Sequence, residues 1–140
     1  MLQKAEEILK NHGLRKTDFR IQVLKRILSK PEVAVSQKYI EEGLGNFDRI
    51  TLYRTLKSFE KLGIIHKAVD GLSELKFALC QEGCTVHKHD DKHAHFHCET
   101  CGETFCLDGF DMPKIDLDKN YLVNDIQLAL SGVCVRCNQN

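Results

Sequence analysis

The paired cysteines in the second half of the chain limit its fold more than any other feature. Two Cys-x-x-Cys motifs stand 32 residues apart. Their members are Cys98, Cys101, Cys134 and Cys137. Four thiolates in two such pairs suit a closed tetrahedral zinc site. Because the gap exceeds the spacing of a short zinc ribbon, folding rather than a local loop must join the pairs. The alternative is that they are reduced cysteines buried in a core.

Other metal-type side chains also gather after residue 79. Five of the seven histidines fall within eleven residues, and imidazole and thiolate are donors that zinc prefers. These histidines are His87, His89, His93, His95 and His97, and the remaining cysteines are Cys80, Cys84 and Cys106. For His87, His89 and His97 the alternative is a solvated loop.

The start of the chain predicts a cytoplasmic protein. Acidic Glu6 and Glu7 stand where a secretory signal would need an apolar core. No apolar run approaches 18 residues, so we expect no membrane span. In the reducing cytosol, seven cysteines call for an explanation other than disulfides.

The zero net charge of the 140-residue chain divides into two unlike parts. Residues 1–80 carry 15 basic and 10 acidic side chains, and residues 81–140 carry 5 and 10. We therefore expect two small domains, 1–80 and 81–140, with the basic one facing an anionic partner.

The pattern of apolar residues in 1–80 predicts an α+β arrangement. Helices are expected over the first twelve residues and after caps at Thr17, Ser36 and Asp48. Two strands over 64–69 and 74–79 then flank an Asp-Gly turn. Helices followed by such a hairpin are typical of a winged helix-turn-helix. In the second domain, residues 108–120 show little helical periodicity, and 121–133 alternate as a strand does.

The last of these helices would enter the major groove of DNA. Its outward side chains are Thr51, Tyr53, Arg54 and Lys57. Arg54 suits a bidentate contact to guanine, worth about 1–3 kcal/mol of discrimination, and Lys57 suits a phosphate. The alternative is an ordinary solvated helix face.

Three segments together resemble the ferric uptake regulator (Fur) family. They are Gly-Leu-Arg-Lys-Thr-Asp-Phe-Arg at 13–20, Ile-Thr-Leu-Tyr-Arg-Thr-Leu at 50–56, and His-Ala-His-Phe-His-Cys-Glu-Thr-Cys-Gly at 93–102. The resemblance implies a homodimeric, metal-sensing repressor that binds a double-stranded DNA operator. It implies an N-terminal winged helix and a small C-terminal α/β dimerisation domain. It also places Arg15 in the minor groove and a structural zinc on the four paired cysteines.

The resemblance further implies a second, regulatory metal held by His93 and His95. In the iron-type pattern, metal ligands stand at the positions that this chain fills with Ala34 and Ala78, and alanine cannot bind a metal. The zinc uptake regulator (Zur) branch is matched better. Its pattern has a His or Asp on the first strand of the wing and a Cys fourteen residues later, and His66 and Cys80 have this spacing. Thiolate with imidazoles also favours zinc over iron(II). The regulatory zinc site is therefore interpreted as His66, Cys80, His93 and His95.

Several alternatives stay open. Cys106 could join or replace a member of the regulatory set, and Cys84 could substitute for Cys80. The sensed ion could be Fe²⁺ or Mn²⁺ instead of Zn²⁺. A zinc enzyme or redox protein, with Glu99 or Glu103 as a base, would need a catalytic motif that the sequence lacks. We therefore expect a repressor of metal-uptake genes and not an enzyme.

Overall fold

The computed structural model describes residues 1–68, 74–80, 94–107, 113–124 and 126–139. Helices and strands are mixed in this part of the chain, which confirms the predicted α+β class. The helices are α1 (Leu2–Asn11), α2 (Asp18–Leu28), α3 (Gln37–Glu42) and α4 (Arg49–Lys61). The strands are β1 (Val33–Ser36), β2 (Ile65–Ala68), β3 (Lys76–Leu79), β4 (Ala94–Cys98), β5 (Thr104–Leu107) and β6 (Ala129–Gly132). No described helix is long and apolar enough to cross a membrane.

Side-chain caps fix where three of the helices begin, as the sequence predicts. The hydroxyl of Thr17 accepts a hydrogen bond from the backbone N–H of Arg20, and that of Ser36 accepts one from Tyr39. The Asp48 carboxylate caps α4 in the same way. Each cap satisfies a backbone donor that the first helical turn leaves unpaired.

The helices share one apolar core. Leu9, Leu24, Ile40, Leu52 and Phe59 are completely buried in it, one or two from each helix. The β2–β3 hairpin closes this core, because its Ile65 and Phe77 belong to the same cluster. Hydrophobic burial therefore stabilises the packing of the helices and the hairpin.

The two strands form an antiparallel hairpin, as the sequence predicts, with Ile65 opposite Leu79 and Ala68 opposite Lys76. The Asp-Gly turn itself lies outside the described residues. Gly63 has a φ of 79°, which only glycine adopts without strain, and it sends the chain from α4 into β2.

A strand that the sequence did not reveal, β1, joins the two parts of the molecule. Its second half pairs with the hairpin, Val35 lying opposite Phe77. Its first half pairs with β5, Val33 lying opposite Phe105. The sheet order is therefore β2-β3-β1-β5-β4-β6, and the sheet continues across the boundary expected at residue 80. We call this junction the β1 corner, because one strand changes partners within four residues.

Small side chains fill the inside of the β1 corner. Ala34, Ala68 and Ala78 form a buried cluster of their own, and Cys106 packs against it. Residues of this size let two pieces of sheet approach each other closely.

The expected strand over 121–133 is wrong in extent. Among the described residues of this range, only β6 (Ala129–Gly132) is a strand, and it pairs in parallel with β4 from His95 to Cys98. Residues 113–120 contain no helix, in agreement with the weak periodicity of 108–120, of which 108–112 lie outside the described residues.

A buried lysine also crosses the junction. Lys76 of β3 is only 6% exposed, and its ammonium donates to the hydroxyl of Thr104 at 2.9 Å. It also approaches the carbonyl of Gly102 at 3.5 Å. Thr104 is fully buried on β5, and its hydroxyl accepts a hydrogen bond from the Lys76 ammonium at a place that water reaches poorly.

We predict that Thr104→Val destabilises the folded chain by about 1–3 kcal/mol, because the isosteric side chain leaves a buried donor without one acceptor. Urea denaturation of the metal-loaded protein measures this loss. Thr100→Val, at an exposed position, is the matched control and should leave the midpoint unchanged. Equal midpoints for both variants would contradict the role assigned to Thr104.

Candidate metal centres

The two Cys-x-x-Cys motifs meet at one end of the sheet. The sulfur atoms of Cys98, Cys101, Cys134 and Cys137 all lie within 4.8 Å of one another. The Cys101 and Cys134 sulfurs are 3.9 Å apart. Four thiolates bonded to zinc at about 2.3 Å would be separated by about 3.8 Å, so the donor set and its spacing fit this ion.

The local backbone prepares Cys98 to carry negative charge. Its sulfur accepts hydrogen bonds from the backbone N–H groups of Cys101 at 3.5 Å and Cys134 at 3.3 Å. These bonds lower the pKa of the Cys98 thiol to about 6. Gly102, at a φ of 78°, makes the turn that follows the first pair.

Cys137 has the opposite tendency. Its hydrogen bond to Cys134, together with burial, raises the pKa of the Cys137 thiol to about 12. Since metals bind the thiolate form, loading the cluster must release protons.

Ion pairs connect this cluster to the helical part. The Glu103 carboxylate accepts a hydrogen bond from Arg136 at 2.7 Å and lies 3.5 Å from the ammonium of Lys30. Glu103 raises the pKa of Arg136, which stands between the two cysteines of the second pair. The sequence suggested Glu103 only as a base for an unsupported enzyme hypothesis, and the structure places it in a charge bridge.

A second cluster combines imidazole and thiol groups. The Nε2 atoms of His66 and His95 are 3.4 Å apart, and the Cys106 sulfur is 3.6 Å from Nε2 of His66. The three donor atoms lie within 4.8 Å of one another. Both histidines are buried, at 3% and 6% exposure, and Cys106 is half-buried.

The β1 corner brings these groups together. His66 is on β2 and His95 is on β4, and three strands lie between them in the sheet. In a flat sheet, four steps of about 4.8 Å would keep them about 19 Å apart. Their actual contact requires the sheet to fold back at the corner.

Cys80 joins this group from another side. Its sulfur lies 3.5 Å from Nδ1 of His66, the ring nitrogen that does not face His95. Cys80 follows β3 directly, and its backbone N–H donates to the carbonyl of Ile64 at 2.9 Å. The hairpin register therefore fixes Cys80 beside His66.

The structure thus brings together three of the four expected regulatory residues: His66, Cys80 and His95. It adds Cys106, which the sequence suggested only as an alternative. His93 and Cys84 lie outside the described residues. Ala34 and Ala78 line the same corner without offering a donor atom.

The side chains expected to contact DNA form a separate face. Thr51, Tyr53, Arg54 and Lys57 are exposed on α4, and Arg15 is exposed before α2. Tyr53 is 62% exposed, and the Lys57 ammonium lies 5.6 Å from its ring centroid. The Thr51 hydroxyl donates to Asp48 at 3.0 Å, so it also supports the helix cap.

Comparison with known proteins defines the class of this molecule. The model of the ferric uptake regulator family matches residues 11–136. The ferric uptake regulation protein of Staphylococcus epidermidis is 34% identical over 143 residues, which cover 96% of this chain and 94% of that protein. That of Staphylococcus aureus is 35% identical over 139 residues, 95% of each chain. The chain therefore belongs to the ferric uptake regulator family, and it is a metal-responsive transcriptional regulator.

A solved structure has the same fold. The ferric uptake regulator of Vibrio cholerae aligns with a TM-score of 0.58 at 21% identity, covering 91% of this chain and 98% of that one. At this level of identity the likeness supports the fold alone.

We predict that Cys98→Ser removes the ion of the four-cysteine cluster and unfolds the sheet around it. Structural zinc contributes on the order of 10–16 kcal/mol in small peptides, comparable to or above the whole stability of a typical domain. Zinc content and far-ultraviolet circular dichroism measure both effects. Ser131→Ala, at an exposed position of β6, is the control, because it leaves every thiol of the sheet in place. A folded Cys98→Ser protein with full zinc content would refute the assignment.

Proposed function

We propose that this chain is a zinc-responsive, DNA-binding repressor of metal-uptake genes, acting as a cytoplasmic homodimer. Residues 1–80 serve as the winged helix-turn-helix and residues 81–140 as the dimerisation domain. One ion is structural, bound by Cys98, Cys101, Cys134 and Cys137. A second, regulatory ion binds at His66 and His95, with the thiols of Cys80 and Cys106 beside them and His93 as a further expected ligand.

The buried histidine–thiol cluster carries the zinc assignment. Iron(II) and manganese(II) sites are commonly rich in carboxylates, whereas thiolate favours zinc among these three ions. The described donors around His66 are imidazoles and thiols, and the two positions that would supply iron-type ligands are Ala34 and Ala78. This donor chemistry supports zinc as the sensed ion.

Iron or manganese sensing is the alternative, and the names of the Staphylococcus relatives favour iron. Metal buffers distinguish the three ions. If operator binding responds to free Fe²⁺ or Mn²⁺ at concentrations available in cells, and to zinc only above them, the zinc assignment is wrong.

The exposed face of α4 supports the DNA-binding role. Arg54 and Lys57 lie beside Tyr53 and Ile50, and these two are 62% and 60% exposed. Apolar side chains at such positions can contact the methyl groups of thymine, and the Arg54 guanidinium can donate two hydrogen bonds to guanine. The helix, its preceding α3 and the β2–β3 hairpin have the order of a winged helix-turn-helix.

Exposed apolar side chains in the last part of the chain support the dimer. A single copy leaves eight large apolar side chains of this segment exposed to water, and exposure of so many is typical of an interface. The side chains concerned are Ile115, Leu117, Tyr121, Leu122, Val123, Ile126, Val133 and Val135, all of them at least 43% exposed.

The regulatory ion would connect the hairpin of one part to the sheet of the other. His66 belongs to the hairpin that follows α4, whereas His95 belongs to β4. An ion bound by both restricts how α4 is oriented relative to the dimerisation sheet. Because two half-sites must be met together, this restriction couples metal binding to DNA binding, typically by about 1–3 kcal/mol.

We predict that Arg54→Ala and Lys57→Ala weaken operator binding in different ways. Arg54→Ala should reduce the free energy of operator binding by about 1–3 kcal/mol and relax the preference for the operator sequence. Lys57→Ala should weaken binding to all DNA sequences alike and reduce the salt dependence of binding. Fluorescence anisotropy with operator and scrambled duplexes at several salt concentrations separates these effects. Lys114→Ala, exposed in the other half, is the control. Unchanged binding by both α4 variants would exclude α4 as the recognition helix.

We predict that His66→Ala abolishes the zinc response while the four-cysteine cluster keeps its ion. The gain in operator affinity between low and high buffered zinc, expected to be about 5–150-fold in the natural chain, should disappear. Anisotropy titrations in zinc buffers measure it, and zinc content verifies the structural site. His12→Ala, at the end of α1, is the control histidine. If His66→Ala keeps the full zinc response, this cluster is not the sensor.

A further inference from the structure

We propose that Glu103 is a positioning residue that holds the helix-turn-helix against the C-terminal sheet. Its carboxylate pairs with Lys30, just after α2, and with Arg136, between the cysteines of the second pair. We call these three side chains the charge bridge. The bridge favours the orientation of the two parts that DNA binding requires, even in a chain without a regulatory ion. This inference rests on the proposed function and adds to it a group that contacts neither metal nor DNA.

The two oxygens of the Glu103 carboxylate contact different partners. Oε2 accepts a hydrogen bond from Nη2 of Arg136 at 2.7 Å, and Oε1 lies 3.5 Å from the ammonium of Lys30. The Glu103 backbone is fixed as well, because its carbonyl accepts a hydrogen bond from the N–H of Cys98 at 2.9 Å. Only 25% of the Glu103 side chain is exposed, so water and salt screen its ion pairs less than those of a fully exposed carboxylate.

On the other side of the bridge, Lys30 contacts Tyr39 of α3. Its ammonium lies 4.7 Å from the centroid of the Tyr39 ring, and the Arg26 guanidinium lies 3.7 Å from the same centroid. Arg26 also donates through Nε to the Tyr39 carbonyl at 2.7 Å. A Cβ at Gly43 would collide with the Arg26 side chain, so glycine at this position leaves room for that contact. The bridge therefore reaches α3, the helix that precedes α4.

The backbone link between the two parts leaves a rotation that the charge bridge can restrict. The register of β1 with β5 comprises two residue pairs, at Val33 and Ala34, and so short a ladder can twist. Among the ion pairs that join two described residues, Lys30–Glu103 alone crosses the boundary at residue 80. Rotation about the ladder would separate these two charges, so their attraction stabilises the orientation in which they meet.

This orientation is also the one that suits the regulatory ion. The Nε2 atoms of His66 and His95 are 3.4 Å apart in the same arrangement that pairs Glu103 with Lys30. Two nitrogens bound to one tetrahedral zinc ion at about 2.0–2.1 Å would be about 3.3 Å apart. The bridge and the ion thus stabilise one arrangement. A chain with the bridge populates that arrangement more often without the ion, so it needs less zinc to complete the change.

The expected size of the effect follows from what such ion pairs contribute. An exposed or half-exposed pair typically changes an equilibrium constant by up to about fivefold. We therefore expect the bridge to change the ratio of the two orientations by about two- to fivefold. The regulatory ion should change the same ratio by more, so the metal-loaded form is almost unaffected by the bridge. A group that contacts DNA directly would instead change the metal-loaded and the metal-poor affinity alike.

Operator binding in zinc buffers tests the charge bridge in the full chain. Fluorescence anisotropy is measured with the cysteine cluster loaded throughout, which zinc content verifies. Glu103→Gln and Lys30→Met should each lower the operator affinity of the metal-poor form by about two- to fivefold. They should raise the free zinc concentration at half-maximal response by the same factor and leave the metal-loaded affinity unchanged. The double variant should match Glu103→Gln, because both changes remove the same pair.

The charges of the variants make this test specific. Glu103→Gln removes an acidic group and Lys30→Met removes a basic one, so a general electrostatic effect on DNA affinity would have opposite signs in the two variants. Lys30→Arg keeps the charge and should keep the natural response. Glu60→Gln is the matched control, because Glu60 forms an ion pair of similar exposure with Lys67 inside the first part. It should leave the zinc response unchanged.

Several results would overturn the inference. One is a natural zinc response in both Glu103→Gln and Lys30→Met, and another is an equal shift in Glu60→Gln. Equal losses of metal-poor and metal-loaded affinity would assign Glu103 to DNA contact or to folding instead of orientation. Additive losses in the double variant would show that the two groups act independently. A natural chain whose operator binding does not respond to zinc at all would refute the proposed function itself, and the inference with it.

Discussion

The change of partners within β1 is the constraint on which the rest of the arrangement depends. Val33 and Ala34 pair with β5, whereas Val35 and Ser36 pair with β3. Backbone hydrogen bonds of this kind are directional, so this short strand fixes how the hairpin faces the second sheet. The alanines inside the corner have no bulk to hold the two sides apart. His66 and His95 can meet only because both conditions hold.

The two parts of the molecule are stabilised by different means. The helices bury leucine, isoleucine and phenylalanine side chains in one core. Among the described residues beyond 80, the fully or nearly buried side chains are small or polar: Ala94, His95, Cys98, Thr104 and Cys134. So thin a core gives little hydrophobic free energy, and metal–thiolate bonds are the usual supplement in small domains. On the proposed assignment, a metal-loaded cysteine cluster would supplement the small core of the described C-terminal residues.

Local rules explain what the sequence could predict. Capping side chains and apolar spacing located the four helices and the hairpin, since these elements depend on near neighbours. The sulfur atoms of the two Cys-x-x-Cys motifs come together as expected, because the two-residue spacing within each motif already places its cysteines close to each other. Strands β1 and β5 have four residues each and depend on a partner far away in the chain, so no local pattern marks them. The same holds for the contact of Cys106 with His66 and for the burial of Lys76, which both arise from the corner.

Strand β4 carries a donor of each metal centre, and this has a consequence for the order in which ions are acquired. His95 lies within the strand, and Cys98 ends it three residues later. On the proposed assignment, the ion on the cysteines would anchor the end of the strand that carries His95. We therefore expect a strict sequence of loading, in which the first ion completes the protein and only the second conveys information. On the proposed assignment, a newly made chain would bind one metal ion at the cysteine cluster before it could respond to a second.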